Sequence, residues 1–194
     1  MSSQAVHTKQ KMHPHKFNLW VAIGSMIMMF AGLTSAYIVK RNQAGWQTYD
    51  MPAVFWISTA LILISSLTVH LSLKAFRMRE MARYRWLMLT TLVLGVLFVI
   101  TQYVGFCVMI QSLGYDEILE LLKANVSYSF LVVIVGLHAL HVAGGILALL
   151  FMVISSYSRA KRNYSTVPVE VVATYWHFVD ILWIYLYVFL WMIK

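Results

Sequence analysis

The chain has 194 residues, of which 61% are hydrophobic and 11% are charged, and its mean hydropathy is +0.74. Charged residues make up about a quarter of an ordinary soluble domain, so this composition excludes that class and places the chain in a lipid bilayer. The single cysteine, Cys107, excludes an internal disulfide framework.

Five continuous apolar runs follow in chain order, each at or above the roughly 20 residues that a helix needs to cross a bilayer. Strands of a membrane β-barrel alternate polar and apolar positions over about ten residues, and these runs do not. We therefore predict an all-α fold: a polytopic membrane protein built as a bundle of five transmembrane helices. The predicted spans are 17–39, 53–74, 86–111, 126–156 and 169–193.

Fifteen basic residues against seven acidic ones give a net charge of +8, and the positions of the basic residues decide what this charge means. Most of them lie before the first span, after the second or after the fourth. With five crossings these segments share one side of the membrane, so the positive-inside bias predicts a cytoplasmic N-terminus and a C-terminus outside. The charge indicates topology, and no nucleic-acid partner is expected. The basic residues that lie before the first span, after the second or after the fourth are Lys9, Lys11, Lys16, Lys74, Arg77, Arg79, Arg83, Arg85, Arg159, Lys161 and Arg162.

Two segments outside the spans are polar. Residues 1–16 are predicted to form a cytoplasmic basic tail, and residues 17–194 a single five-helix transmembrane domain. The tail carries His7, His13 and His15, but histidines scattered along a tail are usually solvated, and we assign no metal to them. Between the third and fourth spans, the stretch SLGYDEILELLKAN mixes acidic and apolar residues. It predicts a short amphipathic helix lying on the outer interface.

Ionisable residues inside a span cost roughly 2.5–3.5 kcal/mol on insertion scales, so each one is a candidate for function. The fourth span holds His138 and His141 in the motif GLHALHVAGG, three residues apart and hence on one helical face. The fifth span opens with Glu170 and places His177 and Asp180 at the same spacing. We predict that these two polar faces meet as a polar seam between the last two helices.

A metal or haem site is one interpretation of this seam, since imidazole ligates iron, copper and zinc. Haem held between two histidines needs one on each face of its ring, usually from different helices, and the fifth span offers only His177. A closed metal site needs three or four converging ligands. The spacing favours a structural role, with hydrogen bonds of about 0.6 kcal/mol that set helix register. A lipid headgroup contact and a proton or water path are the alternatives, and no catalytic, metal-binding or cofactor-binding residue is assigned.

The last two spans closely resemble the last two helices of heme–copper oxidase subunit III. The resemblance lies in the motif GLHALHVAGG, followed by Glu170 and by YWHFVDILWIYLYVFLW. Earlier stretches are similar to the corresponding helices of that family: SMIMMFAGLTSAY in the first span, ISSLTVHLSLKA in the second and LGVLFVITQ in the third. Five spans rather than seven match its short five-helix bacterial form. The resemblance covers nearly the whole chain.

This resemblance implies a non-redox subunit III of a bacterial terminal oxidase of the cytochrome c oxidase type, located in the bacterial cell (inner) membrane. It implies no cofactor in this chain: haem and copper lie in partner subunits, while phospholipid binds to this one. The direct partner is oxidase subunit I, and subunit II and other oxidase or respiratory supercomplex subunits are further partners. The implied roles are support of subunit I, lipid binding and proton uptake in aerobic electron transport. A quinol oxidase subunit III is the near alternative, and a haem-binding membrane anchor or a transporter would be a different class.

By position, the seam residues correspond to acidic, aromatic and histidine residues in the last two helices of the family, where the resemblance implies a structural and lipid-associated role. These residues are His138, His141, Glu170, Trp176, His177 and Asp180.

Two departures from the family pattern concern proton collection. Many relatives carry an acidic residue after the serine that matches Ser25, whereas this chain has Met26. The third helix of relatives often continues from the glutamine matching Gln102 to an acidic residue and a tyrosine, whereas this chain has Gly105 and Phe106. A carboxylate proton antenna is therefore not expected at these positions.

Overall fold

Five long helices account for nearly all of the part of the chain described by this computed structural model, which covers residues 14–42, 46, 51–114, 126–157 and 165–193. Each helix is long and apolar enough to cross a membrane, and the described residues contain no strand. The predicted all-α fold with five spans is therefore confirmed. The helices are α1 (Pro14–Arg41), α2 (Val54–Arg77), α3 (Met81–Ser112), α4 (Val126–Tyr157) and α5 (Val167–Met192).

Some sequence predictions fall on residues that lie outside this description. They include tail residues 1–13 with His7 and His13, residues 115–125 of the predicted interfacial helix, and the basic stretch 159–162. The last three residues of the predicted tail are described, and they belong to the first turn of α1.

Prolines mark two of the helix starts. Pro14 is the first residue of α1, and Pro168 lies in the first turn of α5. Proline is favoured there because its fixed φ suits a helix and its missing N–H would have had no partner in the first turn. Both α3 and α4 have 32 residues, or roughly 48 Å of helix at 1.5 Å per residue. They are thus longer than a bilayer core of about 30 Å and must tilt or project beyond it.

A tight turn joins α2 to α3 and makes them antiparallel neighbours. Arg79 adopts φ of 62° in this turn, a left-handed conformation that ends many helices and is usually taken by glycine. The turn is closed by backbone hydrogen bonds from Arg79 N to Phe76 O and from Glu80 N to Ala75 O, both 3.0 Å. The substitution Arg79→Gly tests the strain at this position.

We expect Arg79→Gly to raise the free energy of unfolding by about 1 kcal/mol, because the left-handed conformation costs a residue with a side chain roughly 1–2 kcal/mol. Met78, the preceding residue, has a right-handed φ of −78°, so Met78→Gly should lower stability by about 0.5–1 kcal/mol. Thermal denaturation of the purified protein carrying each substitution measures both effects. A loss of stability in both variants would contradict the explanation.

Helix α5 lies at the centre of the bundle. It packs against α1, α2 and α4, while α3 packs between α2 and α4, and α1 contacts α4 and α5. In the most apolar stretch of α5, 44% of the residues are buried, against 28% in each of the other four helices. Helix α5 is therefore the most buried of the five helices and packs against three of the other four.

Two hydrophobic clusters meet across this helix. One lies among α2, α3, α4 and α5 and includes Met88, Phe98 and Trp176. The other lies mainly among α1, α4 and α5 and includes Phe30 and Leu186. Helix α1 thus closes one side of a core that the other four helices build.

Basic residues gather at one end of the bundle, which we call the basic end. The start of α3 and the end of α4 lie together there, because the Arg85 guanidinium sits over the Tyr157 ring at 5.2 Å from its centroid. The positive-inside bias predicts that this end faces the cytoplasm. The described basic residues of this end are Lys16, Lys74, Arg77, Arg79, Arg83 and Arg85.

Candidate functional site

The indole of Trp176 is the best-enclosed side chain of the predicted seam. Trp176 is only 1% exposed, and its ring lies between two glycines, Gly95 of α3 and Gly145 of α4. A Cβ atom placed on Gly95 would lie 2.8 Å from the indole, and one placed on Gly145 would lie 2.9 Å from it. The indole nitrogen donates a hydrogen bond to the buried Ser65 hydroxyl of α2 at 2.9 Å. One residue of α5 thereby contacts three other helices, α2, α3 and α4.

Sequence reasoning found Trp176 but missed both glycines. The close contact is specific to Gly145, since a Cβ on the neighbouring Gly144 would meet only the Tyr175 hydroxyl, at 3.8 Å. A signal was present, since Gly145 follows the seam residue His138 by seven residues, which is two helical turns and hence the same face. No comparable pattern in α3 pointed to Gly95.

His177 and Asp180 face α2. The Ser66 hydroxyl lies 2.6 Å from His177 Nδ1, and the rings of His70 and His177 are 6.1 Å apart between centroids. Asp180 is buried beside the Ser66 hydroxyl, outside the geometry of a hydrogen bond. The serine was not predicted, because a serine in a membrane helix commonly bonds its own backbone and carries no signal in the sequence.

His138 is buried between aromatic rings. Its ring lies 5.4 Å from that of Trp183 in α5 and 6.4 Å from that of Phe98 in α3, measured between centroids. Neither ring nitrogen has a hydrogen-bond partner among the described residues. Trp183 in turn donates from its indole nitrogen to the Thr59 hydroxyl of α2 at 3.1 Å.

His141 points towards α1. Its Nδ1 lies 2.7 Å from the carbonyl oxygen of Leu137, and its ring meets that of Phe30 edge-on at 5.9 Å. The Tyr175 hydroxyl of α5 donates a hydrogen bond to the His141 carbonyl oxygen at 3.0 Å. Helices α4 and α5 thus meet through the hydrogen bond of Tyr175 and through the packing of the Trp183 ring against the His138 ring. His177 and Asp180 lie instead at the contact between α5 and α2.

Glu170 joins three helices at the basic end. Its carboxylate pairs with Lys16 Nζ of α1 at 2.6 Å and with Arg77 Nη2 of α2 at 2.9 Å. Glu170 was predicted as a seam residue but its partners Lys16 and Arg77 were not, because the ends of α1 and α2 come together only in the folded bundle. The seam is therefore distributed around α5, with an ionic group at one end and aromatic and imidazole contacts further in.

The two departures from the family pattern are accommodated in the core. Met26 is buried in α1. The space beside Gly105 is taken by the Phe55 ring, since a Cβ on Gly105 would lie 3.2 Å from that ring. A carboxylate at this glycine would displace Phe55.

In the described part of the chain, no three His, Cys, Asp or Glu side chains form a group that could hold a metal ion. The contacts seen around α5 are aromatic packing, hydrogen bonds between side chains and one pair of salt bridges. Such contacts can hold helices in register and can receive polar groups of a lipid or of another subunit.

Comparison with known proteins gives a consistent picture. The sequence profile of the family described as cytochrome c oxidase subunit III matches residues 2–193. The chain is 27% identical to a probable cytochrome c oxidase subunit 3 of Nocardia farcinica over 99% of this chain and 94% of that protein. It is 25% identical to cytochrome c oxidase subunit 3 of Bacillus subtilis over 87% of this chain and 81% of the relative. It is also 25% identical to a probable quinol oxidase subunit 3 of Staphylococcus haemolyticus, over 92% and 89%.

The profile match runs through all five helices and includes every residue of the polar seam. A match of that extent covers the whole five-helix bundle rather than one shared motif. This chain belongs to the cytochrome c oxidase subunit III family of the heme–copper oxidases.

Proposed function

We propose that this chain is the non-redox third subunit of a bacterial terminal oxidase that takes electrons from cytochrome c and reduces oxygen. The observation that carries the proposal is the family match over residues 2–193, together with relatives named cytochrome c oxidase subunit 3 that align along almost their whole length. Quinol is the alternative electron donor, favoured by the similarity to a probable quinol oxidase subunit 3. The bacterial cell (inner) membrane is the proposed location.

In this proposal, haem and copper belong to partner subunits, and oxidase subunit I is the direct partner. The seam histidines support a structural role for this chain because protein groups already occupy their surroundings. Aromatic rings of Phe98 and Trp183 flank His138, and the Ser66 hydroxyl engages His177. The chain would support subunit I, bind membrane phospholipid and assist proton uptake. It would do so without a carboxylate at position 26 or 105, where it has Met26 and Gly105.

Purification of the native complex through a tag on this chain tests the proposal. We expect subunits I and II to copurify with the chain, together with haem and copper. Oxygen consumption should be supported by reduced cytochrome c and not by quinol; the reverse preference would establish the quinol alternative. Recovery of the chain without any haem-bearing partner would refute both.

His138→Ala combined with His141→Ala is expected to leave the haem content of each assembled complex unchanged, since these side chains contact Phe98, Trp183, Phe30 and the chain's own backbone. The reduced-minus-oxidised spectrum, normalised to subunit I, measures this. A haem signal that disappears from this chain alone in the double variant would show that it is a haem-binding anchor instead.

A further inference from the structure

Helices α2, α3, α4 and α5 repeat one arrangement at two levels of the bundle. The first level is the one around Trp176, where Gly95, Gly145 and Ser65 contact the indole. Each of these four residues has a counterpart seven residues further from the basic end, which is two helical turns and hence the same face of its helix. The counterparts of Ser65, Gly95, Gly145 and Trp176 are, in that order, Ser58, Gln102, His138 and Trp183. We call these four counterparts the central polar layer.

Contacts within the central polar layer show that its members lie at one level. The Gln102 amide nitrogen donates to the Ser58 hydroxyl at 2.8 Å, and the His138 ring lies 5.4 Å from the Trp183 ring between centroids. Phe98, one turn before Gln102 in α3, lies 6.4 Å from the same imidazole. Two polar side chains thus stand where the first level has two glycines, and they extend from α3 and α4 into the same part of the core.

Three atoms of this layer are buried without a hydrogen-bond partner among the described residues. They are Oε1 of Gln102 and both ring nitrogens of His138. His138 is only 2% exposed, so bulk water does not reach its ring. Buried polar side-chain atoms in proteins nearly always have a partner, and hydrocarbon around a membrane helix offers none. The layer therefore needs a hydrogen-bonding ligand that the described parts of the four helices do not themselves supply.

The chemistry of the unpaired atoms selects this ligand. A neutral imidazole carries one N–H donor and one bare nitrogen, and the amide oxygen of Gln102 is an acceptor. The ligand must therefore donate to Gln102 and also pair with a ring nitrogen of His138. A metal ion has no hydrogen to donate, and an apolar ligand forms no hydrogen bond. Water does both, and buried waters in proteins typically bond two to four polar groups that would otherwise be unsatisfied.

We propose that the central polar layer binds an internal water molecule, held between a ring nitrogen of His138 and Oε1 of Gln102. The water accepts from the imidazole N–H, donates to the amide oxygen and so joins α3 to α4 inside their membrane-spanning stretches. Ser58 orients the Gln102 amide, and ring contacts with Trp183 and Phe98 hold the imidazole. The inference goes beyond the proposed function, because it concerns the interior of this chain and holds for either electron donor.

Electron cryo-microscopy of the native complex, at a resolution that shows ordered water, is the direct test. We expect a water peak within about 2.7–3.2 Å of Gln102 Oε1 and of one ring nitrogen of His138. Gln102→Leu, which removes the amide oxygen but keeps a side chain of similar size, should abolish the peak. Ser65→Ala is the matched control, because it removes a buried hydroxyl of α2 that belongs to the other level. The peak should remain in this variant.

Solid-state NMR of the complex in lipid bilayers, with ¹⁵N-labelled histidine, tests the same contact independently. Magnetisation from water protons should reach the ring nitrogens of His138, whose signals are identified by their loss in His138→Phe. Because this ring is shielded from bulk water, an internal water is the source of such transfer. The transfer should be lost in Gln102→Leu and kept in Ser65→Ala.

The stabilities of the two polar side chains should also be coupled. Gln102→Leu and His138→Phe should each lower the thermal midpoint of the complex, since each leaves the water with one partner fewer and the other side chain poorly paired. The double variant removes both polar ends together, so its midpoint should fall by less than the sum of the two separate shifts.

The inference is overturned if the map shows His138 and Gln102 in direct contact, or shows no water peak between them. It is also overturned if the peak survives in Gln102→Leu, if no transfer from water reaches His138, or if the two midpoint shifts are additive. Subunit stoichiometry and haem content show whether each variant has assembled. If Gln102→Leu does not assemble, the map and the NMR transfer of the unmodified complex decide the outcome. An assembled oxidase without this water refutes the inference alone, whereas absence of oxidase subunits refutes the proposed function.

Discussion

Trp176→Ala is expected to destabilise the protein by about 3–5 kcal/mol, the usual cost of replacing a buried tryptophan by alanine. The indole is 1% exposed and contacts Gly95 of α3 and Gly145 of α4, while its nitrogen bonds Ser65 of α2. Its removal leaves a cavity bordered by α2, α3 and α4. The loss is measured as a lower midpoint of denaturation and as loss of this chain from the complex during purification.

Trp191→Ala is the matched control for this prediction. Trp191 belongs to the same helix but is 53% exposed, so its replacement should change stability by less than about 0.5 kcal/mol. Trp176→Phe should fall between the two, because it keeps an aromatic ring but loses the hydrogen bond to Ser65, worth about 0.6 kcal/mol in a membrane. Equal effects of Trp176→Ala and Trp191→Ala would show that the enclosed position of Trp176 does not matter.

Gly95→Ala and Gly145→Ala are each expected to destabilise the protein by about 1–3 kcal/mol, the range for overpacking a filled core. The added methyl groups would lie 2.8 and 2.9 Å from atoms of the Trp176 ring, closer than carbon atoms can approach. The ring cannot retreat, because it is held between the two glycines and its nitrogen is bonded to Ser65. Thermal or denaturant unfolding of the purified complex measures both losses.

Gly136→Ala provides the control, since a Cβ at Gly136 meets no atom within 4 Å. It should stabilise α4 by about 0.5–1 kcal/mol, because glycine is the poorer residue inside a helix. Trp176→Phe placed in the Gly145→Ala background should restore part of the lost stability, and this coupling between the two sites would show that the clash is the cause. If Gly136→Ala and Gly145→Ala destabilise equally, close approach of the indole is not the reason.

These contacts explain how one helix can organise a membrane bundle. Between apolar helices in lipid there is little hydrophobic driving force, so close packing and interhelical hydrogen bonds must select the arrangement. Helix α5 supplies both: the indoles of Trp176 and Trp183 bond Ser65 and Thr59 of α2, and the Tyr185 hydroxyl meets Thr34 of α1 at 3.0 Å. These hydrogen bonds join α5 to both α1 and α2.

The selection of site residues from the sequence depended on their rarity in an apolar background. His138, His177 and Asp180 could be found because a polar residue in a span is conspicuous, and Trp176 because its surrounding motif resembles a known family. Their partners Ser65 and Ser66 could not be found in this way, since serine is tolerated in membrane helices without a partner helix. Pairing is a property of two helices, and a single sequence shows neither which helices are neighbours nor how each is rotated.

Length, hydropathy and the placement of charge were enough to predict five helices, their approximate ends and one end rich in basic residues. The tertiary structure alone decided that α5 is central, that its histidine and aspartate face α2, and that two glycines enclose the indole. In lipid, a residue that faces the bilayer and a residue that faces the core are both apolar. Leu149 is fully buried, while Leu147 of the same helix is 65% exposed. The apolar composition of α4 therefore does not indicate which side of the helix packs inward.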